Sequence, residues 1–508
     1  MTYIVLNSFI PEIFLSLCIL IQLIFNAYLI TDVNYNFPII DKEMLSQTFF
    51  ILFCTLALIF NSKIEGFFSN FLFINDSGSR FVKILFIISC ISILLILIRS
   101  FKLQKLNFFE YFTIFLLSIL SLLLLISSSD MISAYLVIEM QALSFYVLAS
   151  FRRTSAFSTE AGLKYFISGA FISGIFLFGC SIIYGVLGTL NFTNLSLLLS
   201  FPLENDLVSL NTFLFIGVLM ITITFLFKLS VVPFHFWSPD VYEGSPLAST
   251  VIFSIIPKFA IFSFFIKWLS IILPSFPLIS NFLLFCGLLS VFFGAFFAIR
   301  QKRLKRLVIY SSIAQVGFLI AALSINSLNS LVSVYFFLSI YIITSIAIWT
   351  NFSLFYQFKD KINKLKSLSS TPLFLSSLSN FFNFNSLWSI SFIIIFFSIA
   401  GIPPLSGFLS KIFVLFSIVE ANNVLGSLIL VLISAVSVFY YLRIIKIVFF
   451  ESKDLSFNKQ FQIVFNTPLF DLECLLLCSC LFLLIFFFFY PSFLLLICQY
   501  IVLSSFYF

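Results

Sequence analysis

The amino-acid sequence predicts an all-α polytopic membrane protein with about fourteen transmembrane helices, and three observations carry that prediction. Of 508 residues, 61% are hydrophobic and 9% charged, whereas soluble domains carry about 25% charged residues. Apolar runs recur along nearly the whole chain, each long enough to cross about 30 Å of hydrocarbon as a helix. The runs are continuous rather than alternating, which excludes a β-barrel. No soluble domain fits between them, since the longest polar stretch, 351–387, is rich in Ser, Lys and Asn and too short to bury a core.

In chain order the predicted spans are 3–30, 45–60, 81–98, 111–127, 130–150, 160–187, 208–236, 246–269, 278–299, 304–324, 329–350, 388–420, 423–447 and 469–489. Loop charge supports this count. Basic residues follow the third span (Arg99, Lys102, Lys105), the fifth (Arg152, Arg153), the ninth (Arg300, Lys302, Arg303, Lys305, Arg306), the eleventh (Lys359, Lys361, Lys364, Lys366) and the thirteenth (Lys453). The loops after spans 4, 6, 8, 10 and 12 contain essentially none. The positive-inside rule then places the basic loops in the cytoplasm or matrix and both termini in the opposite compartment.

The first basic residue is Lys42, so no charged n-region or Arg-rich presequence precedes the first run, and the encoded N-terminus is expected to be the mature one. The 77 Phe residues, against 5 Met and 4 Trp, point to the T-rich codon bias of organelle genomes. The nine cysteines sit in apolar runs without metal-ligand spacing and read as core residues. The glycines of span 6, Gly162, Gly169, Gly174, Gly179, Gly185 and Gly188, read as close helix packing.

Two spans are interrupted. Pro233 lies near the end of span 7 in KLSVVPFH, and Gly401, Pro403, Pro404 and Gly407 lie in the middle of span 12 in IAGIPPLSGFLSK. Broken helices at membrane depth are tolerated where they are buried or line a wet cavity, and paired breaks in two halves point to a transporter-like inverted repeat.

Most of the charge is in loops, so the intramembrane exceptions are informative. Glu139 lies nine residues after Asp130, or about 13 Å along a helix. Lys258 lies twelve residues after Pro246, or about 18 Å. Lys228 and Lys411 flank the two breaks. Ionisable groups at such depth mark a functional path by default, and three lysines with one glutamate suit a proton relay. A structural Glu139–Lys228 ion pair that fixes helix register is the alternative. His235, the only histidine, is placed at the membrane edge beside Trp237, Asp240 and Glu243, as a proton-entry group or an interfacial hydrogen-bonding residue. No phosphate loop, haem motif or nucleophile constellation is present in the sequence.

The segments FKLSVVPFHFWSPDVYEGSP, EAGLKYFISGAFISGIFLFGCSIIYGVLGT, RLKRLVIYSSIAQVGFLI and AGIPPLSGFLSK together resemble the subunit 2 family of respiratory complex I, the NADH:ubiquinone oxidoreductase, whose bacterial members are subunit N. The resemblance runs from span 4 to span 13. It implies an antiporter-like fold with broken helices 7 and 12 and two inverted five-helix repeats, helices 4–8 (111–270) and 9–13 (271–447), between an N-terminal three-helix segment (1–110) and a C-terminal helix region (448–508). By motif, Glu139 matches the family's helix-5 glutamate, Lys228 its helix-7 lysine, Lys258 the helix-8 lysine linking the halves, and Lys411 the helix-12 lysine. Glu139 and Lys228 are 89 residues apart, and Gln315 and Lys411 are 96 apart. The family often has a histidine where this chain has Gln315, which cannot carry a proton at neutral pH, so water would have to bridge there.

The function so implied is proton translocation, coupling electron transfer from NADH to ubiquinone to pumping, as a subunit of an enzyme whose redox chemistry lies elsewhere. No cofactor is expected in this chain; FMN, iron–sulfur clusters and quinone belong to other subunits. The expected partners are other membrane-arm subunits of complex I and the lipid bilayer, with no nucleic acid and no small-molecule substrate other than protons. The expected location is the mitochondrial inner membrane, multi-pass, with both termini on the intermembrane-space side and the gene in the organelle. Three alternatives remain: a plastid-type subunit working with plastoquinone, a multi-subunit cation/proton antiporter subunit, and a membrane scaffold. Sodium-dependent proton exchange would favour the antiporter, and tolerance of neutral residues at all four charged sites would favour the scaffold.

Overall fold

The computed structural model describes residues 8–30, 38–62, 66–68, 72–104, 110–200, 208–366, 374–379, 382, 386–451 and 471–506. Thirteen of its helices are long and apolar enough to cross a membrane, and two shorter pieces joined end to end supply a fourteenth. In chain order they are α1 (Ile10–Ile30), α2 (Pro38–Asn61), α3 (Ser77–Gln104), α4 (Glu110–Ser127), α5 (Met131–Ala149), α6 (Ala156–Leu187) and α7 (Val208–Lys228), then α8 (Leu247–Ile272), α9 (Pro277–Arg300), α10 (Leu304–Leu323) and α11 (Leu328–Lys366). Helix α12 comes in two segments, Ser386–Ala400 and Ser406–Glu420; α13 (Val424–Phe449), α14 (Asp471–Phe489) and α15 (Pro491–Phe506) follow.

Helix ends follow local chemistry. The Asp130 carboxylate accepts from the Ile132 N–H at 2.8 Å and caps α5. Gly188, with φ of 73°, closes α6 in the left-handed conformation. Pro277 opens α9, where its missing N–H is not needed.

The structure departs from expectation at several elements, α11 among them, which runs to Lys366 rather than 350. A short antiparallel hairpin, β1 (Gly66–Phe68) with β2 (Phe73–Asn75), interrupts an otherwise helical chain. Helix α7 stops at Lys228 rather than 236 and resumes as the short helix Trp237–Gly244. The apolar helix α15 continues beyond 489; at 16 residues it is about 24 Å long, so the parity of fourteen spans does not place the C-terminus.

The packing repeats five helices apart. In the first half α4 packs on α5, α5 on α6, and α6 on α7; in the second α9 packs on α10, α10 on α11, and α11 on α12. Helix α8, whose most apolar window is wholly buried, lies between the halves, against α3, α4 and α11. Large apolar side chains on the outer face, such as Phe157, Leu163, Ile167 and Phe171 of α6, are exposed and suit hydrocarbon or neighbouring subunits.

Candidate functional site

Both breaks end their first segment in the same hydrogen-bond pattern. In α7 the Val231 N–H reaches back to the Leu226 carbonyl at 2.9 Å and the Ser230 N–H to Phe227 at 2.9 Å; in α12 the Ile402 N–H reaches Phe397 at 3.0 Å and the Gly401 N–H reaches Ser398 at 3.1 Å. These are Schellman closures, which require a left-handed residue at the turn. That residue is Ser230 (φ 57°) in α7 and Gly401 (φ 80°) in α12.

A broken helix leaves carbonyls without intrahelical donors. In the first half the indole Nε1 of Trp237 donates to the Phe227 carbonyl at 3.0 Å. In the second the ammonium of Lys411, itself buried, donates to the Ala400 carbonyl at 2.6 Å and lies 5.7 Å from the Phe318 ring. Lys228 is the last residue of its segment, where a cation meets the negative end of the helix dipole.

Glu139 faces Lys228 across the first half. The two lie within electrostatic reach, but no ion pair within 4 Å joins them. The carboxylate oxygen Oε1 of Glu139 is shut off from solvent without a hydrogen-bond partner. A register-fixing contact pair is therefore absent, and the two groups influence each other through space rather than through a direct hydrogen bond.

Lys258 is organised by the residue before it. Pro257 sits inside α8 and has no N–H, which frees the Phe253 carbonyl one turn back. The Tyr242 hydroxyl takes up that carbonyl at 3.1 Å. The Lys258 ammonium donates to the Tyr341 hydroxyl at 2.7 Å, which in turn donates to the Ser254 carbonyl at 3.2 Å. Beside this chain, Tyr242, Ser254, Ser312, Gln315 and Tyr341, with apolar neighbours such as Val308 and Ile348, line a cavity of about 20 Å³, enough for one water molecule. Gln315 thus lies by a space where water can bridge. Tyr341→Phe is expected to strand the Lys258 ammonium, at about 1–3 kcal/mol or more; the midpoint of thermal unfolding of the purified assembly should fall, and an unchanged midpoint would remove Tyr341 from the network.

His235 differs from expectation. It is 4% exposed, with its ring 4.6 Å from Phe236 and 6.4 Å from Phe297, and its Nδ1 has no hydrogen-bond partner. The neighbouring carboxylates turn elsewhere: Asp240 pairs with Lys164 at 3.2 Å and Arg306 at 3.1 Å, and Glu243 pairs with Arg303 and Arg306. The loop after the α7 break is thereby tied to the start of α10, joining the halves on the basic side.

Sequence reasoning missed the buried Glu12–Lys83 pair and the half-buried Lys267. Lys83 pairs with Glu12 at 2.6 Å, both nearly inaccessible. Lys267, near the end of α8, donates to the Ile126 carbonyl at 2.7 Å. Both lie within an expected span or at its edge, and a search for every charge inside the apolar runs would have found them.

Two helix breaks, a lysine at each and a buried third on the helix between the halves define an antiporter-like membrane subunit that handles protons or cations. Residues 128–437 match the family model described as NADH:quinone oxidoreductase/Mrp antiporter, TM. The chain is 36% identical over 447 residues to the NADH-ubiquinone oxidoreductase chain 2 of Marchantia polymorpha, covering 87% of this chain and 88% of that one. It is 35% identical over 470 residues to the NADH-quinone oxidoreductase subunit N of Pelagibacter ubique, covering 90% and 92%. In fold it matches a chain of respiratory complex I from Thermus thermophilus (TM-score 0.74, 23% identity, 96% and 98% covered) and one of the Mrp complex from Dietzia (TM-score 0.78, 16% identity, 98% and 97% covered). The chain belongs to the chain 2, or subunit N, family of NADH:quinone oxidoreductases.

Proposed function

We propose that this chain translocates protons within the membrane arm of an NADH:ubiquinone oxidoreductase, through Glu139, Lys228, Lys258 and Lys411. One observation carries the assignment of residues: Lys258 and Lys411 are buried on neutral oxygens, Tyr341 Oη and Ala400 O, rather than on carboxylates. An ammonium held by a neutral acceptor can give up its proton without leaving a stranded anion, whereas one locked to a carboxylate resists doing so. The hydroxyl-lined cavity beside Gln315 offers a site for the water that the missing histidine requires. His235 is kept as a secondary candidate, as an imidazole buried just beyond the α7 break.

The redox chemistry is proposed to lie wholly in partner subunits, with no cofactor in this chain. The proposed location is the mitochondrial inner membrane with the N-terminus in the intermembrane space, supported by the distribution of loop charge and the Phe-rich composition. The division at 1–110, 111–270, 271–447 and 448–508 is proposed with it.

Glu139→Ala tests the reading. Its Oε1 makes no hydrogen bond, so truncation should leave assembly intact while proton pumping linked to quinone reduction falls strongly in reconstituted vesicles. Normal pumping by the assembled variant would refute a role for Glu139, and isolated chain that oxidised NADH would refute the division of labour.

A further inference from the structure

We propose that a cavity at the end of α8 is a water vestibule through which Lys267 exchanges protons with the compartment opposite the basic loops. The cavity measures about 450 Å³, room for on the order of ten water molecules at about 30 Å³ each. Asp76, Ser128, Ser129, Thr193, Ser196 and Ser270 supply polar groups to its wall, and Lys267 lies on its lining. Such a wall gives water the two to four partners it needs.

Chain direction fixes the side. Helix α4 starts after the basic end of α3 (Arg99, Lys102) and ends at Ser127, and α8 starts after the short helix Trp237–Gly244 joined to Arg303 and Arg306 and ends at Ile272. The wall is built from 74–76, 128–129, 192–200 and 267–275: the end of β2, the residues just after α4, the short helix Phe192–Ser200 and the end of α8, all away from the basic loops.

Lys267 is distinct from Lys258. The two are nine residues apart, about 13 Å along the helix and half a turn around it. Lys258 faces Tyr341 of the second half, whereas Lys267 faces α4 of the first, on the Ile126 carbonyl. Its charged neighbours are Asp76 and Lys83, and Lys83 is held by Glu12. In the proposed step the Lys267 ammonium gives one proton to vestibule water and becomes a neutral amine. A proton arriving from the polar groups of the first half restores the charge. This inference rests on the proton-translocating reading above.

Two measurements on the intact complex test it. Lys267→Cys and, separately, Ser270→Cys should be labelled by a membrane-impermeant thiol reagent applied to the face opposite the basic loops and not from the basic face, with the label mapped to the introduced cysteine. No labelling from that face, or labelling only after lipid extraction, would overturn the vestibule, the second result making it a lipid site. Lys267→Gln keeps an N–H donor for Ile126 but no titrating charge, so it should preserve assembly and lose protons pumped per NADH, with Lys267→Arg retaining more stability than yield. Unchanged yield in Lys267→Gln would make Lys267 a helix-capping residue only. Labelling does not depend on pumping, so a closed vestibule and a failure of the proton-translocating reading give different results.

Discussion

Lys411→Ala in the assembled complex is expected to pump fewer protons per NADH oxidised without loss of assembly. The side chain is buried, its ammonium rests on the Ala400 carbonyl, and among the described residues no ion pair holds it to a carboxylate. Truncation therefore strands one carbonyl, at about 1–3 kcal/mol, and no buried anion. A fold of this size tolerates that loss. The effect on transport should be larger than in relatives with a helix-10 histidine, because Gln315 cannot titrate near neutrality and leaves Lys411 to bear more of the transfer in the second half. Lys411→Gln separates the two roles: it restores a donor for Ala400 but not a titrating charge, so stability should return and yield should not. Lys411→Glu, whose protonated form can still donate to the carbonyl, should keep part of the yield. Unchanged yield per NADH in Lys411→Ala would make this lysine only the closure of the break.

Gly407→Ala is expected to abolish accumulation of the assembled chain. A Cβ at this position would stand 1.8 Å from the Ser398 carbonyl oxygen and 2.6 Å from its carbon. The obstacle is backbone at the end of the first α12 segment, which cannot rotate away, so the second segment must shift. Overpacking of this kind costs about 3 kcal/mol or more, and the shift would carry Lys411, one turn later, off the Ala400 carbonyl. Gly426→Ala is the matched control in the same half, since its nearest neighbour would be a Leu284 methyl at 3.8 Å. Native electrophoresis and thermal unfolding of the two variants should show loss for Gly407→Ala and little change for Gly426→Ala. Equal accumulation would mean that the break has slack the structure does not show.

The sequence by itself determined the fold class, nearly all of the crossings, the two breaks and the lysines beside them. A bilayer enforces this legibility: every lipid-facing backbone group must be satisfied within its own helix, so crossings appear as continuous apolar runs, and a charge or a Gly-Pro-Pro cluster inside one stands out. Tertiary structure alone decided what each charge meets. Lys258 rests on Tyr341, 83 residues away. Asp240 and Glu243, which their closeness in sequence assigns to His235, belong instead to Arg303 and Arg306 some sixty residues on, and His235 is buried among aromatic rings. The end of α7 at Lys228 rather than at Pro233 depends on Ser230 adopting a left-handed turn that Trp237 then covers. Lys267 gained meaning only when four separate segments of the chain closed a cavity around it. Hydropathy records what each residue prefers to be surrounded by, but it does not record which distant segment supplies those surroundings, because a buried lysine finds its acceptor through helix packing rather than through its neighbours in the chain.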